Sequence, residues 1–250
     1  MANEFEYSGE KWLSRSELLL GKTALERLKQ SHVLVVGLGG VGAYAAELVC
    51  RSGVGRMTIV DGDVIECSNR NRQLLALAST EGQSKAELVA KRLRDINPAI
   101  KLTVLHQFIR NEEAEILLST HYDYVIDAID TLSSKVGLLA SCVERDLRTV
   151  SSMGAGGKFD PTQVAISDIS KSFNCKLAKA LRKRLHRRGI RTGIKVVFSP
   201  EEVNRDAIFA FDADDTGKCG SVTGTISYMP AIFGCCCASV VIRDLAKEKE

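Results

Sequence analysis

A glycine-rich turn, Gly37-Leu38-Gly39-Gly40-Val41-Gly42, precedes an ordered set of polar residues: Asp61, Asn69, Arg72, Gln73, Lys85 and Asp130. Glycines at this spacing let a backbone approach a phosphate, and a helix starting at the turn adds free N–H groups and the positive end of its dipole. Asp61 stands 19 residues beyond Gly42, the spacing of a carboxylate that binds ribose hydroxyls. A hydride-transfer enzyme on a nicotinamide dinucleotide would satisfy that much. The segment from Asp61 to Gln73 is dense in charge and amide, however, and Lys85 follows it. A triphosphate carries about four negative charges and favours arginine, lysine and a metal, of which this set supplies the arginine and lysine. The apolar run Tyr124-Val125-Ile126 then leads into Asp127 and Asp130. A carboxylate at the end of a strand can hold Mg²⁺ against phosphates. Asp130, beyond the last apolar position, is the expected ligand; Asp127 is left to cap the turn or to support Asp130.

These residues need a scaffold that gathers strand ends. Apolar periodicity predicts strands at 33–36, 57–60, 102–105, 124–126 and 149–152, separated by helices at 41–51, 84–96, 112–119 and 133–145. Such alternation implies right-handed crossovers and a mainly parallel sheet. After Gly154-Ala155-Gly156-Gly157 the pattern changes to a short strand near 164–166, a helix at 175–186, a strand at 194–198 and a polar, acidic loop at 201–220. The expectation is one α/β domain over 1–250, Rossmann-like, with helices on both faces and a modified C-terminal half. Residues from about 30 to 150 form the nucleotide-binding core, and those from about 151 to 250 face the substrate.

Composition narrows the class. Net charge is +3 over 250 residues, and eight cysteines are scattered with no C-x-x-C pair. Structural zinc is therefore not expected, and the thiols suit a reducing, cytoplasmic compartment. Residues 226–242 are the most apolar stretch, slightly short of the roughly 20 a membrane helix needs, and read as a buried core helix. No membrane association is expected.

The positives are not spread evenly. From Lys171 to Lys195, ends included, there are ten lysines and arginines and no acid. Leu177, Leu181 and Leu185 recur every fourth residue, giving a helix with one apolar stripe and cationic flanks. Lys176, Lys179, Arg182, Lys183, Arg184, Arg187 and Arg188 would repel one another unless a polyanion covers them, so an RNA backbone is the expected partner. Stacking aromatics are absent from its core, Lys176 to Gly189, which favours phosphate contacts over base reading there.

Together the glycine turn, Asp61…Ser68-Asn69-x-Asn71-Arg72-Gln73, Gly82-Gln83-Ser84-Lys85 and Asp127-Ala128-Ile129-Asp130 resemble the ThiF/MoeB superfamily. Its members, relatives of ubiquitin-activating enzymes, adenylate a carboxylate with ATP. The resemblance implies that Gly37, Gly39, Gly40 and Gly42 cradle phosphate and that Asp61 binds ribose. It places Asn69, Arg72, Gln73 and Lys85 around the triphosphate, and Mg²⁺ on Asp130. It makes Asp130, Arg72, Lys85 and Arg15 the catalytic set, with Arg15 reaching the ATP of the other subunit in a homodimer. Sulfur-carrier-activating branches commonly carry two C-x-x-C pairs, which are absent here. The C-terminal half, with Gly154-Ala155-Gly156-Gly157-Lys158, Asp160-Pro161-Thr162 and Leu177-Ala178-Lys179-Ala180-Leu181-Arg182, is similar instead to a branch that acts on tRNA. That branch cyclises the threonylcarbamoyl group on adenosine 37. Activation of a sulfur-carrier or ubiquitin-like protein is the alternative, a nucleotide-sensing binding protein a third reading, and a sulfur-transfer protein a further partner. Cys219 could in principle take an acyl or sulfur group; a plain loop cysteine is the competing reading.

Overall fold

The computed structural model describes residues 10–211 and 220–247. Seven strands form one sheet: β1 (His32–Val36), β2 (Arg56–Val60), β3 (Lys101–Leu105), β4 (Tyr124–Asp127), β5 (Thr149–Ser152), β6 (Ala165–Asp168) and β7 (Lys195–Phe198). Their order is β3-β2-β1-β4-β5-β7-β6. All pairs are parallel except β6 with β7. The expected Rossmann-like, mainly parallel α/β fold is what the chain adopts.

Helices cover both faces. On one side α2 (Lys22–Gln30), α3 (Gly42–Arg51), α4 (Lys85–Ile96) and α8 (Tyr228–Ala246) share a core with Val33, Val35, Ile59, Ile126 and Val197. On the other side α5 (Asn111–Leu117) and α6 (Leu132–Glu144) pack on Leu34, Val36, Val60 and Val125. Beside them α7 (Lys176–His186) packs on Val196 and Phe198. Alternate residues of one strand thus enter opposite cores, which is why the strands read as continuous apolar runs. The helix α8 has the length and hydropathy of a membrane span, yet half of its most apolar stretch is buried inside the protein. Met229, Phe233, Cys237, Val241 and Leu245 are buried in the first core.

Two regions differ from the sequence expectation. Helices α1 (Ser14–Leu20) and α2 precede the sheet where apolar periodicity predicts no element. The expected loop at 201–220 contains β8 (Ile208–Phe211), paired antiparallel with β9 (Gly220–Thr223). The run Ile208-Phe209-Ala210-Phe211 has the aromatic and β-branched residues that favour strands, and its acidic neighbours masked it. Residue Cys219 lies outside the described residues.

The N-terminal ends of the strands are tied by an ionic cluster. Tyr124 Oη donates to Asp244 Oδ2 at 2.8 Å, Lys195 Nζ pairs with the same carboxylate, and Arg148 lies over the Tyr124 ring at 5.6 Å. These contacts anchor the end of α8 to β4 and β7. Burial raises the Asp244 carboxyl, but the hydrogen bonds from Lys195 and Tyr124 and the charges of Lys195 and Arg148 outweigh it and hold the group below the ordinary aspartate value. A depressed acid contributes stability above its unfolded value, and that contribution is lost as pH falls through the folded value. We therefore expect Asp244→Asn to lower unfolding free energy by about 1–2 kcal/mol at neutral pH. In urea titrations the difference from the parent protein should close below about pH 4.

Candidate active site

The parallel register brings the strand ends to one level. Val36 pairs with Val60 on one side and Asp127 on the other, and Asp127 pairs with Ser151. The strand order reverses between β1 and β4, the place where ligands gather in such sheets. A cleft of about 1280 Å³ opens there.

Its floor is the glycine turn. Gly37 has φ +87°, and a Cβ on it would meet Ala128 O at 2.7 Å. A Cβ on Gly42 would sit 1.7 Å from Gly37 O. The turn folds back on itself so closely that only hydrogen fits at either position, and this brings Gly39, Gly40 and Val41 to the cleft. The first turn of α3 leaves backbone N–H groups without partners in the helix, aimed where an anion is favoured. Gly42 itself lies beneath the surface and works by packing.

Asp61 fixes the turn to the neighbouring strand. Its Oδ2 accepts from Leu38 N at 2.6 Å and its Oδ1 from Asp63 N at 2.8 Å. Burial pushes its carboxyl above the ordinary range, while the N–H groups of Leu38 and Asp63 and the charge of Lys85 pull it back. Ser84 caps α4 by accepting from Glu87 N, which sets Lys85 in the first turn. Lys85 Nζ reaches Asp63 Oδ2 at 3.1 Å, and both residues line the cleft.

Arg72 and Gln73 line the same wall. Arg72 Nη1 donates to Ser68 O and to Asn71 Oδ1, each at 2.9 Å, which orients the guanidinium. Gln73 Oε1 is buried without a hydrogen-bond partner, an acceptor (or, with the amide flipped, a donor) left for a bound molecule. Asn69 does not line the cleft. It is buried, its Oδ1 accepts from Glu66 N at 3.2 Å, and its carbonyl accepts from Arg72 N and Gln73 N. It shapes the bend that presents those two side chains.

The two acids after β4 separate clearly. Asp127 is wholly buried and pairs with Lys135 at 2.8 Å; it also accepts from Ser151 Oγ at 2.7 Å and Ile129 N at 3.1 Å. Lys135 Nζ donates to Ile129 O at 2.8 Å. The pair clamps the 127–131 segment and leaves Asp130 exposed at the cleft. Among the described residues no group of three or more His, Cys, Asp or Glu is arranged to hold a metal. Mg²⁺ held against phosphates needs only one or two carboxylates from the protein, so a single exposed Asp130 fits.

The structure also adds cleft residues that motif spacing did not find. Gln107, Phe108, Ile109 and Arg110 follow β3, and Thr131, Ser133 and Ser134 lie at the start of α6. Gly154, Ala155, Gly156, Thr223 and Thr225 form the far wall with Lys176 and Leu177. The rule that ligands collect at the carboxyl ends of parallel strands could have located the segments after β3 and β5. Arg15 is exposed on α1 and does not line the cleft of its own chain.

Along α7 the buried stripe is Ala178, Leu181 and Leu185, with Leu177 only partly buried at the cleft. Lys176, Lys179, Lys183, Arg184, Arg187 and Arg188 are exposed. Arg182 is half-buried, and its Nη1 donates to Ser172 O at 2.7 Å, so one edge of its guanidinium ties the helix to the turn that precedes it.

A Rossmann-like domain whose phosphate turn opens on a cleft lined by Arg72 and Lys85 has the build of a nucleotide-binding protein. Residues 13–250 match the ThiF family. The tRNA threonylcarbamoyladenosine dehydratase of Bacillus subtilis (strain 168) is 42% identical over 242 residues, 95% of each chain. The crystal structure of Escherichia coli tRNA N6-threonylcarbamoyladenosine dehydratase with ATP is similar at a TM-score of 0.85 and 33% identity, over 96% of this chain and 97% of that one. Its AMP complex is similar at a TM-score of 0.84 and 33% identity, with the same coverage. The chain belongs to the ThiF family.

Breaking one partner of a buried ion pair strands a charge and costs about 3–5 kcal/mol, whereas replacing both by apolar groups is often neutral. Lys135→Met should lower stability by about that amount in urea unfolding. The double variant Asp127→Leu/Lys135→Met should regain most of it while still losing nucleotide affinity, because Ile129 N and O lose their anchors.

Proposed function

We propose that this protein uses ATP to cyclise, with loss of water, the threonylcarbamoyl group on adenosine 37 of tRNA. The observation that carries this reading is the continuity of the cleft. It runs from the glycine turn and Asp61 to Gly154–Gly156, Thr223, Thr225 and the first residues of the basic helix α7. One end suits a nucleotide and the other a second, RNA-borne substrate. The likeness to the dehydratases spans both halves, not the nucleotide half alone.

The chemistry then follows in two steps. A carboxylate oxygen of the threonyl group attacks the α-phosphorus of ATP, an acyl–O–P bond forms, and pyrophosphate leaves. An atom of the adjacent ureido group attacks the acyl carbon; the C–O bond breaks, AMP leaves with that oxygen, and the ureido proton goes to solvent. The water lost from the nucleoside is thus divided between AMP and a proton. Ring closure within one nucleoside needs no protein nucleophile and gains from proximity. On this reading the glycine turn and the α3 N-terminus hold phosphate oxygens, Arg72 and Lys85 neutralise the triphosphate, Gln73 orients it, and Asp61 takes the ribose. Lys85 exchanges Asp63 for phosphate. Asp130 holds Mg²⁺, which offsets charge on the phosphates when bound.

Two further parts belong to the proposal. Helix α1 leaves Leu18 and Leu19 exposed, the latter 84%, beside Arg15. An apolar surface of this kind supports a homodimer in which Arg15 serves the cleft of the partner. The exposed cations of α7 support a tRNA backbone running along that helix to the cleft. A cytoplasmic location without membrane contact completes the reading.

Purified protein with ATP and Mg²⁺ should release pyrophosphate with tRNA that carries threonylcarbamoyladenosine and not with tRNA that lacks it. Asp130→Ala should cut the rate at least about a hundredfold. Release without modified tRNA, or dependence on a carrier protein, would replace this reading with the carrier-activating one. Arg15→Ala and Asp130→Ala proteins should each be nearly inactive and regain part of the activity when mixed. No recovery would remove Arg15 from the neighbouring site.

A further inference from the structure

The basic helix contains no Phe, Tyr or Trp, but the segments that flank it and the cleft lining do. Phe159 is 67% exposed and Phe173 is 55% exposed, although both side chains are large and apolar. They belong to segments that the fold binds together. Lys158, buried, donates through Nζ to Asn174 O at 3.2 Å and to Glu201 O. The Glu201 carboxylate accepts from Phe159 N and Asp160 N at 2.8 and 2.9 Å. Tyr228 Oη donates to Phe159 O at 2.8 Å, and the Phe159 and Tyr228 rings meet edge to face at 6.1 Å. Phe173 meets Phe198 edge to face at 5.8 Å. Phe173 is therefore fixed along an edge by the buried Phe198, and Phe159 is held at its backbone by Glu201 and along an edge by the half-buried Tyr228.

The surroundings decide what such rings face. Phe173 stands three residues before Lys176, which lines the cleft, and Phe159 stands three residues after Gly156, which also lines it. The outer side of α7 adds the cations of Lys179 and Lys183. Aromatic faces beside a cationic track, each within three residues of the cleft lining, are the elements of single-stranded nucleic-acid binding: the backbone follows the charge and unpaired bases stack on the rings. We propose that Phe159 and Phe173 are positioning residues that stack unpaired bases of the RNA loop flanking the modified nucleoside. The inference rests on the tRNA reading above. It assigns recognition of the loop to stacking on the rim and recognition of the backbone to α7.

Stacking on a planar ring has its own signature. With a stem-loop RNA carrying threonylcarbamoyladenosine and 2-aminopurine at a neighbouring loop position, binding to the parent protein should change the fluorescence of the base. Phe159→Leu and Phe173→Leu should weaken that change and raise KM for the RNA about five- to a hundredfold, while KM for ATP and the oligomeric state stay constant. Phe159→Tyr and Phe173→Tyr should restore both readouts, because the ring is kept. An unaltered KM and fluorescence response in both leucine variants, and in their double variant, would overturn the proposal. So would a shift from dimer to monomer with unaltered KM for RNA, which would assign the rim to a second copy of this chain. Parent protein that releases no pyrophosphate with the modified RNA would instead mark failure of the tRNA reading itself.

Discussion

The cleft depends on two charges held out of water. Asp127 and Lys135 are both wholly buried and paired at 2.8 Å. A pair of this kind tolerates little movement, since neither charge has solvent to turn to. Its remaining hydrogen bonds go to Ser151 and to the N–H and carbonyl of Ile129. The segment after β4 is therefore locked to β5 and to α6. That segment carries Ala128, whose carbonyl lies against Gly37, and Asp130, which faces the cleft. The phosphate turn and the exposed carboxylate share one anchor.

Steric closeness supplies the second constraint. Gly37 and Gly42 leave no room for a Cβ, so the loop between β1 and α3 is pressed onto the neighbouring strand end. Asp61 closes the arrangement from the other side by accepting from Leu38 N. The nucleotide end is thus preorganised by backbone contacts, and its cations wait on internal partners such as Asp63. The C-terminal half supplies the other wall. Gly157 N donates to Gly224 O at 2.8 Å, and Gly224 N donates to Ala207 O at 2.8 Å. The hairpin β8–β9 is thereby sewn to the segment after β5.

What the sequence disclosed follows from what local order encodes. The run Val33-Leu34-Val35-Val36 is buried on both faces, and its apolar continuity announces a parallel strand. Glycine spacing and Asp61 mark the turn because a phosphate site imposes backbone geometry, and geometry restricts residue type. Asn69 was legible as part of a motif but not in its role, since accepting from Glu66 N and supporting Arg72 are contacts only folding creates. Lys135 gave no signal, for a lysine within a helix ordinarily faces water. The stretch Gln107 to Arg110 reaches the cleft only through strand order. Helix α1 is short and leaves Leu18 and Leu19 exposed, so it lacks the periodic burial that would reveal it.

The central claim is that a carboxylate is activated as an acyl-adenylate within this cleft. It is tested most directly by placing oxygen-18 in the threonyl carboxylate of the modified tRNA and examining the products of one turnover. The account predicts one labelled oxygen in AMP, none in pyrophosphate, and a nucleoside lighter by one water. Label released as water or inorganic phosphate, with unlabelled AMP, would contradict it.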